Sequence, residues 1–241
     1  MTTIELSNTR QVISRGTLVP AQPARLGQTV LAQPARVGFV ATAAAIPPIA
    51  VLHMEADAAV DPVSWTISDY VVTLPHGMAL FGMTAAALAV GAAALAHGLS
   101  PLPGTRIVRG LLMVWAVAAV VAAVFPTNLR GTPEDFSSTG HLMAGAVLFA
   151  VLPIAGAMVT RRYRRATGWG ACTITLAVTS AVSGLLSTAL ILNRLPGVIG
   201  RPELMLPPGI LQRASGGMEI IELAVIALTL LRSTPRVSQH R

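Results

Sequence analysis

The sequence predicts an all-α, polytopic membrane protein, a bundle of six transmembrane helices, and three observations predict it. Six apolar stretches each run about 17 to 25 residues, the length a helix needs to cross about 30 Å of hydrocarbon. The arginines fall almost entirely on alternate sides of those stretches. Hydrophobic residues make up 53% of the 241-residue chain and charged residues 11%, with a mean hydropathy of +0.67. A soluble domain carries about 25% charged residues. Backbone groups in lipid must be satisfied within their own segment, so helices are the expected form. A membrane β-barrel would show segments of about ten alternating residues, and the sequence has none.

Residues 1–36 hold four arginines and a short repeat, residues 21–27 and 32–38. The prolines of the repeat and the scarcity of aromatics predict a disordered cytoplasmic arm. The same stretch lacks a continuous apolar core, so no cleavable signal peptide is expected there. The six-helix domain is placed at 37–232 and a cytoplasmic tail at 233–241. The first span, 37–54, closes on His53 and Met54. The second, 76–98, follows Pro75, and its Gly77, Gly82 and alanines suit close helix contact. The third, 107–125, is stopped by Pro126. The fourth, 141–160, follows the punctuation Pro133, Glu134, Asp135 and Ser137–Thr139. The fifth, 168–192, contains Cys172 and a stripe of Ser180, Ser183, Gly184 and Ser187, for which packing is a sufficient reading. The sixth, 215–231, contains Glu219 and Glu222.

All 17 basic residues are arginine. With the amino terminus in the cytoplasm, 13 of the 17 lie in inner segments, leaving only Arg130, Arg194, Arg201 and Arg213 outside. This is the positive-inside bias, and it predicts a multi-pass protein of the cell membrane with both termini cytoplasmic. The net charge of +7 is therefore topological, and nucleic acid is not expected as a partner. The arginines of residues 161–165 suit the anionic cytoplasmic leaflet. The single cysteine, Cys172, allows no intrachain disulfide and no cysteine–histidine metal cluster.

The inner connections are short, whereas the outer ones, 55–75, 126–140 and 193–214, carry aromatics, acids and helix punctuation. Binding groups collect on such loops, so a functional centre is expected in the outer half, drawing on Asp69, His76, His141, Arg213 and Glu219. Glu219 and Glu222, three residues apart, share one helix face, and carboxylates within a span usually face the bundle interior and a partner. Arg213 lies about 9 Å further along that helix and need not pair with them. His141 and His76, each at an outer interface, have the chemistry to exchange protons; the alternative is an interfacial histidine bonded to a loop carbonyl. Asp69 has two readings, a helix cap and a general acid or base. Thr127, past the end of the third span, is expected to line the same mouth. The candidate catalytic set is Glu219, His141 and Asp69; the candidate ligand-binding set is His76, Thr127, Arg213 and Glu222; no metal ligands are assigned. Phosphate loops, dinucleotide fingerprints and zinc-protease helices are absent, as is a nucleophile elbow, and no cofactor is indicated.

The succession Asp61-Pro62, Ser68-Asp69-Tyr70, Phe125-Pro126-Thr127, Gly140-His141 and Gly209-Ile-Leu-Gln212-Arg213 resembles the six-span bacterial membrane family numbered 998 among domains of unknown function, over about residues 37–232. The resemblance implies an α-helical membrane fold and supplies no reaction or ligand. Gln212 departs from the acidic residue expected before the arginine. Three functions are compatible with these residues. One is a membrane protein whose outer-leaflet cavity holds a lipid-like or isoprenoid small molecule. A second is a membrane-embedded acid/base enzyme acting on such a molecule by cyclisation or hydrolysis, and the third a structural subunit of a membrane complex. Membrane lipids are the expected surroundings in each case; the sequence fixes no oligomeric state.

Overall fold

The computed structural model describes residues 23–56, 60–129, 131–133, 135–165, 170–198 and 206–232. They form helices α1 (Pro23–Ala44), α2 (Ile46–Met54), α3 (Ile67–Thr73), α4 (Gly77–Gly98), α5 (Arg106–Val124), α6 (Phe136–Tyr163), α7 (Gly170–Val198) and α8 (Pro208–Arg232). Among the described residues, six helical stretches are long and apolar enough to span a membrane, at Ala32–Met54, Gly77–Gly98, Arg106–Val124, Phe136–Tyr163, Cys172–Asn193 and Pro208–Arg232. The chain is an all-α, multi-pass integral membrane protein.

The first span is one crossing made of two helices. Pro47 and Pro48 lack the N–H groups that would continue α1, and their rings crowd the carbonyls four residues back. The helix breaks at Ala45 and restarts as α2. Upstream the expectation of disorder needs correction, because residues 23–36 are helical. Pro23 opens α1, where its missing N–H costs nothing, and Pro34 is accommodated inside the helix. Ala35 is fully buried in the main core, and that packing holds residues the repeat's prolines argue against. Residues 1–22 and 233–241 lie outside the described residues.

Two other spans begin earlier than hydropathy predicts. Asp135 caps α6 by accepting from the Ser138 N–H at 2.8 Å, while the Ser138 hydroxyl accepts from the Asp135 N–H at 2.9 Å. His141 is therefore in the second turn of α6 rather than at its start. α8 begins at Pro208, so Gln212 and Arg213 lie on its first turns and not in a loop.

The spans close into a ring in the order α1, α4, α5, α6, α7, α8, with α8 returning to α1. α8 also meets α4, α6 and α3, which sets it inward of a simple ring. Small residues permit the closest approaches. A Cβ on Gly38 would stand 2.6 Å from Leu95 Cδ2, and one on Gly91 would stand 2.9 Å from Thr42 Oγ1, so α1 and α4 touch almost backbone to backbone.

The main core joins Ala92–Leu99 of α4, Val108–Ala119 of α5, Leu152–Tyr163 of α6, Leu176 of α7 and Leu223–Leu230 of α8. In an up-and-down ring these segments share the half of the bundle nearest the chain ends. A smaller cluster, Leu52, Val60 and Tyr70, lies beneath α3 at the opposite end. Many large apolar side chains, among them Val117, Ile174 and Leu185, stay exposed on the outer faces of the spans, as a hydrocarbon surround requires.

Candidate functional site

Arg213 ties the α3 end of the molecule together. Its Nε–H donates to His53 Nε2 at 3.0 Å. Nη1 donates to the carbonyls of Pro62 (2.8 Å), Trp65 (2.7 Å) and Gly209 (2.9 Å), and Nη2 donates to the Tyr70 hydroxyl. The guanidinium carbon stands 4.9 Å from the Tyr70 ring centroid, within cation–π range. His53 Nδ1 lies 2.7 Å from the Ile49 carbonyl, so Nδ1 carries the proton and Nε2 is left to accept from Arg213. Burial pushes the Tyr70 phenol above its ordinary range, against the opposing pull of the Arg213 guanidinium, so the hydroxyl stays neutral. One cation thus bridges α2, the 62–65 turn, α3 and α8, using the fixed fork of donors that distinguishes arginine from lysine. Gly209 makes the approach possible, since a Cβ there would meet the carbonyls of Trp65, Pro62 and Val63.

Next to this knot, Gln212 Oε1 accepts from the Ile67 N–H at 2.5 Å, and Asp69 accepts from the Thr66 N–H (2.7 Å) and hydroxyl (2.8 Å). Both satisfy orphan donors at the start of α3. Asp69→Ala is expected to cost about 1 kcal/mol of stability, the usual loss for a helix cap, in thermal unfolding of the detergent-solubilised protein. An unaltered thermal midpoint would mean that the start of α3 is held by Gln212 and its apolar contacts instead.

Below the knot lies a pocket of about 320 Å³, within the range of small-molecule sites. Apolar side chains dominate its wall: Phe81 and Leu88 of α4, Trp115 and Ala119 of α5, Leu148 and Phe149 of α6. The polar groups reaching it are His53, His141, Gln212, Arg213, Glu219 and the Thr84 hydroxyl. Its space comes partly from glycine: Gly145, Gly216 and Gly217 line it, and a Cβ on any of them would meet nothing within 4 Å.

His141 Nδ1 lies 2.8 Å from the Ala122 carbonyl and 2.9 Å from that of Phe125. These belong to the last turn of α5, where carbonyls have no helical partner. The Nδ1–H therefore caps α5, and Nε2 is the nitrogen with a free lone pair. Glu219 is 1% exposed. Its Oε2 accepts a long bond from the Trp115 indole N–H at 3.4 Å, and its Oε1 has no hydrogen-bond partner among the described residues. No bond joins Glu219 to His141.

Glu222 is turned to a different neighbour. It is fully buried, and Oε1 accepts from the Ser180 hydroxyl of α7 at 2.8 Å. A Cβ on Gly156 of α6 would collide with that carboxyl and that hydroxyl, so α6, α7 and α8 converge on this point.

Of the residues singled out in the sequence, Glu219, His141 and Arg213 meet at the pocket. Asp69 is in the α3 cap, His76 is exposed at the entry to α4, Thr127 is half-buried beyond α5, and Glu222 faces α6 and α7; none of these four lines the pocket. His53, Gln212 and Trp115 line it without having been chosen. Trp115 left a signal, because a buried indole N–H within an apolar span needs an acceptor. Among the described residues no cluster of three or more histidine, cysteine or acidic residues could hold a metal ion.

The family model described as "Protein of unknown function (DUF998)" matches residues 39–229. No curated protein and no solved structure matches the chain.

Proposed function

Since the chain belongs to the DUF998 family of proteins of unknown function, with six helices long and apolar enough to cross a membrane, we propose that it binds a lipid-like or isoprenoid small molecule in the pocket beneath α3. One observation carries this reading: a mainly apolar pocket of about 320 Å³ is lined in part by the buried Glu219, whose carboxyl oxygen Oε1 has no hydrogen-bond partner among the described residues. An unpaired buried acceptor costs about 1–3 kcal/mol, and a ligand hydroxyl or amine would satisfy it. The apolar body of the ligand would lie along Phe81, Leu88, Leu148 and Phe149, with His141 Nε2 as a second acceptor.

The acid/base alternative needs a carboxylate and a histidine within reach of one proton. Glu219 bonds Trp115 and His141 bonds the end of α5, so binding is the better-supported reading. A purely structural subunit would seal its acids against arginines, whereas Glu219 and Glu222 bond an indole and a hydroxyl.

Native mass spectrometry of the protein extracted in mild detergent should show a retained small molecule. Gly145→Leu and Gly217→Leu place side chains into open space, so both variants should fold and lose that mass. An unliganded wild-type protein, or equal retention in both variants, would refute the proposal.

The arginine distribution supports an orientation in which α3 faces outward and both termini face the cytoplasm. A cysteine at Thr132 should react with an impermeant thiol reagent in intact cells, and one at Thr167 should not. The opposite labelling pattern would reverse the orientation.

A further inference from the structure

At the end of the bundle that carries the chain ends, α4 closes beside His97 and α5 opens at Arg106. The two helices pack against each other, and between their outward faces lies an open groove of about 520 Å³. Its lining divides by chemistry. Ala93, Ala96, Gly110 and Met113 are apolar, whereas His97, Arg106 and Arg109 bring two guanidiniums and an imidazole. Arg106, Arg109, Gly110 and Met113 share one face of α5. His97 is exposed and Met113 is 46% exposed, so this face turns away from the core. Gly110 opens the space, since a Cβ there would meet nothing within 4 Å.

Arg109 is fixed in this groove. Its Nε–H donates to the Ala96 carbonyl at 3.0 Å, in the last turn of α4, where carbonyls lack helical partners. The half-buried guanidinium is thereby held against the wall, and its two terminal amino groups bond no other described residue; nor does Arg106. The described acidic residues lie elsewhere: Glu55, Asp61, Asp69 and Asp135 at the α3 end, Glu219 and Glu222 inside the bundle. α5 has no acidic residue in its first turn, although the helix dipole favours anions there. Neither helix stability nor a neighbouring acid accounts for this pair of cations. The positive-inside bias asks only for arginines at this end, a demand that Arg164 and Arg165, exposed at the end of α6, serve equally.

We propose that the α4–α5 groove is a binding site for an anionic phospholipid, its phosphate held by Arg106 and Arg109 with His97 beside them. Guanidiniums match phosphate oxygens with paired N–H donors, and basic pockets between transmembrane helices suit lipid head groups. Depth favours a lipid over a free anion, because Arg106 is the first residue of its span and His97 the last but one of its own. From the cations the groove runs into apolar surface, and both helix faces continue as exposed valines, Val90 on α4 and Val117 on α5. His97 also lines a second hollow of about 420 Å³ between α1 and α4, beside Pro34, Val37 and Ala94. Two apolar-walled grooves therefore meet at one imidazole, and a diacyl lipid has a chain for each.

The full chain in mild detergent, titrated with phosphatidylglycerol or with phosphatidylcholine of the same acyl chains, tests this by native mass spectrometry. The first phosphatidylglycerol should bind more tightly than the first phosphatidylcholine. Arg106→Gln, which breaks no bond within the protein, should weaken that first event about fivefold, and Arg106→Gln with Arg109→Gln about tenfold or more. Arg164→Gln with Arg165→Gln removes the same charge from the same end and should leave it unaltered. Glycerol phosphate, which has the anion without the chains, should not displace the lipid. Equal binding of the two lipids, an unaltered affinity in Arg106→Gln, or an equal loss in the Arg164 and Arg165 variant would each overturn the site. Displacement by glycerol phosphate at the lipid's own concentration would also overturn it, leaving a site for a free anion. Gly145→Leu and Gly217→Leu should keep the phosphatidylglycerol, so the groove fails or stands apart from the pocket beneath α3; its loss in those variants would place the lipid in that pocket and overturn the groove.

Discussion

Arg213→Met is expected to release α3 and the 62–65 turn from the end of the bundle. Methionine keeps much of the length and the apolar stem but has no donor, so His53 Nε2, the Tyr70 hydroxyl and three carbonyls lose their shared partner at once. A hydrogen bond to a charged donor contributes about 1.5–3 kcal/mol, and relaxation recovers part of the loss when several fail together. A destabilisation of about 2–4 kcal/mol should follow in thermal or denaturant unfolding in detergent. Amide exchange over residues 62–73 should accelerate more than exchange in α5 or α6. Arg213→Lys should fall between the two, since an ammonium cannot span acceptors set around a planar fork. Unaltered exchange over 62–73 in Arg213→Met would show that the loop is held by its apolar contacts instead.

The second large effect is expected at Gly156. An added methyl would run into the Glu222 carboxyl and the Ser180 hydroxyl, between helices packed on both sides. Overpacking a close-packed interior costs about 1–3 kcal/mol, and displacing the carboxyl also breaks the Ser180–Glu222 bond, so Gly156→Ala should lose roughly 2–4 kcal/mol in all. The cause can be isolated in a background carrying both Glu222→Ala and Ser180→Ala, taken as one change, which removes the three atoms nearest to that methyl. A double-mutant cycle should then show coupling of about 1 kcal/mol or more. Additive effects would mean that Gly156 is required for some other contact.

The six crossings were legible because lipid imposes a continuous apolar length that few other environments demand. Their ends were less so. Hydropathy follows the hydrocarbon, whereas a helix ends where its hydrogen bonds are capped. α6 starts at Phe136 because Asp135 and Ser138 form a reciprocal cap, and α8 starts at Pro208, two turns ahead of its apolar run. Residues 23–36 are helical against the tendency of their prolines, because the packing of Ala35 in the main core is not visible in local sequence.

The pocket was only half legible. Depth alone brought Glu219, His141 and Arg213 to the same level. The His53–Arg213 contact joins residues 160 positions apart, and no periodicity encodes such a pairing. Glycine was ambiguous for a physical reason: the absent side chain admits a close neighbour at Gly38, Gly91 and Gly156, yet leaves open volume at Gly145, Gly216 and Gly217. Composition cannot separate these two uses, since each is a statement about a neighbour. His76 and Thr127 shared the depth of the site but not its direction.

The division of the bundle into a solid half and a half with a pocket gives it two mechanical characters. Leucines, alanines and Trp115 interlock six helices near the chain ends, and opening that half would expose most of the buried apolar surface at once. Its amides should exchange only when the whole domain unfolds. The α3 half has a smaller cluster, a broken first span and glycines facing free volume, so it should open in separate low-energy steps. The molecule then behaves as a stiff base carrying a compliant head. Motion needed to admit an apolar guest is available in the head without loosening the part that keeps the chain folded in the bilayer.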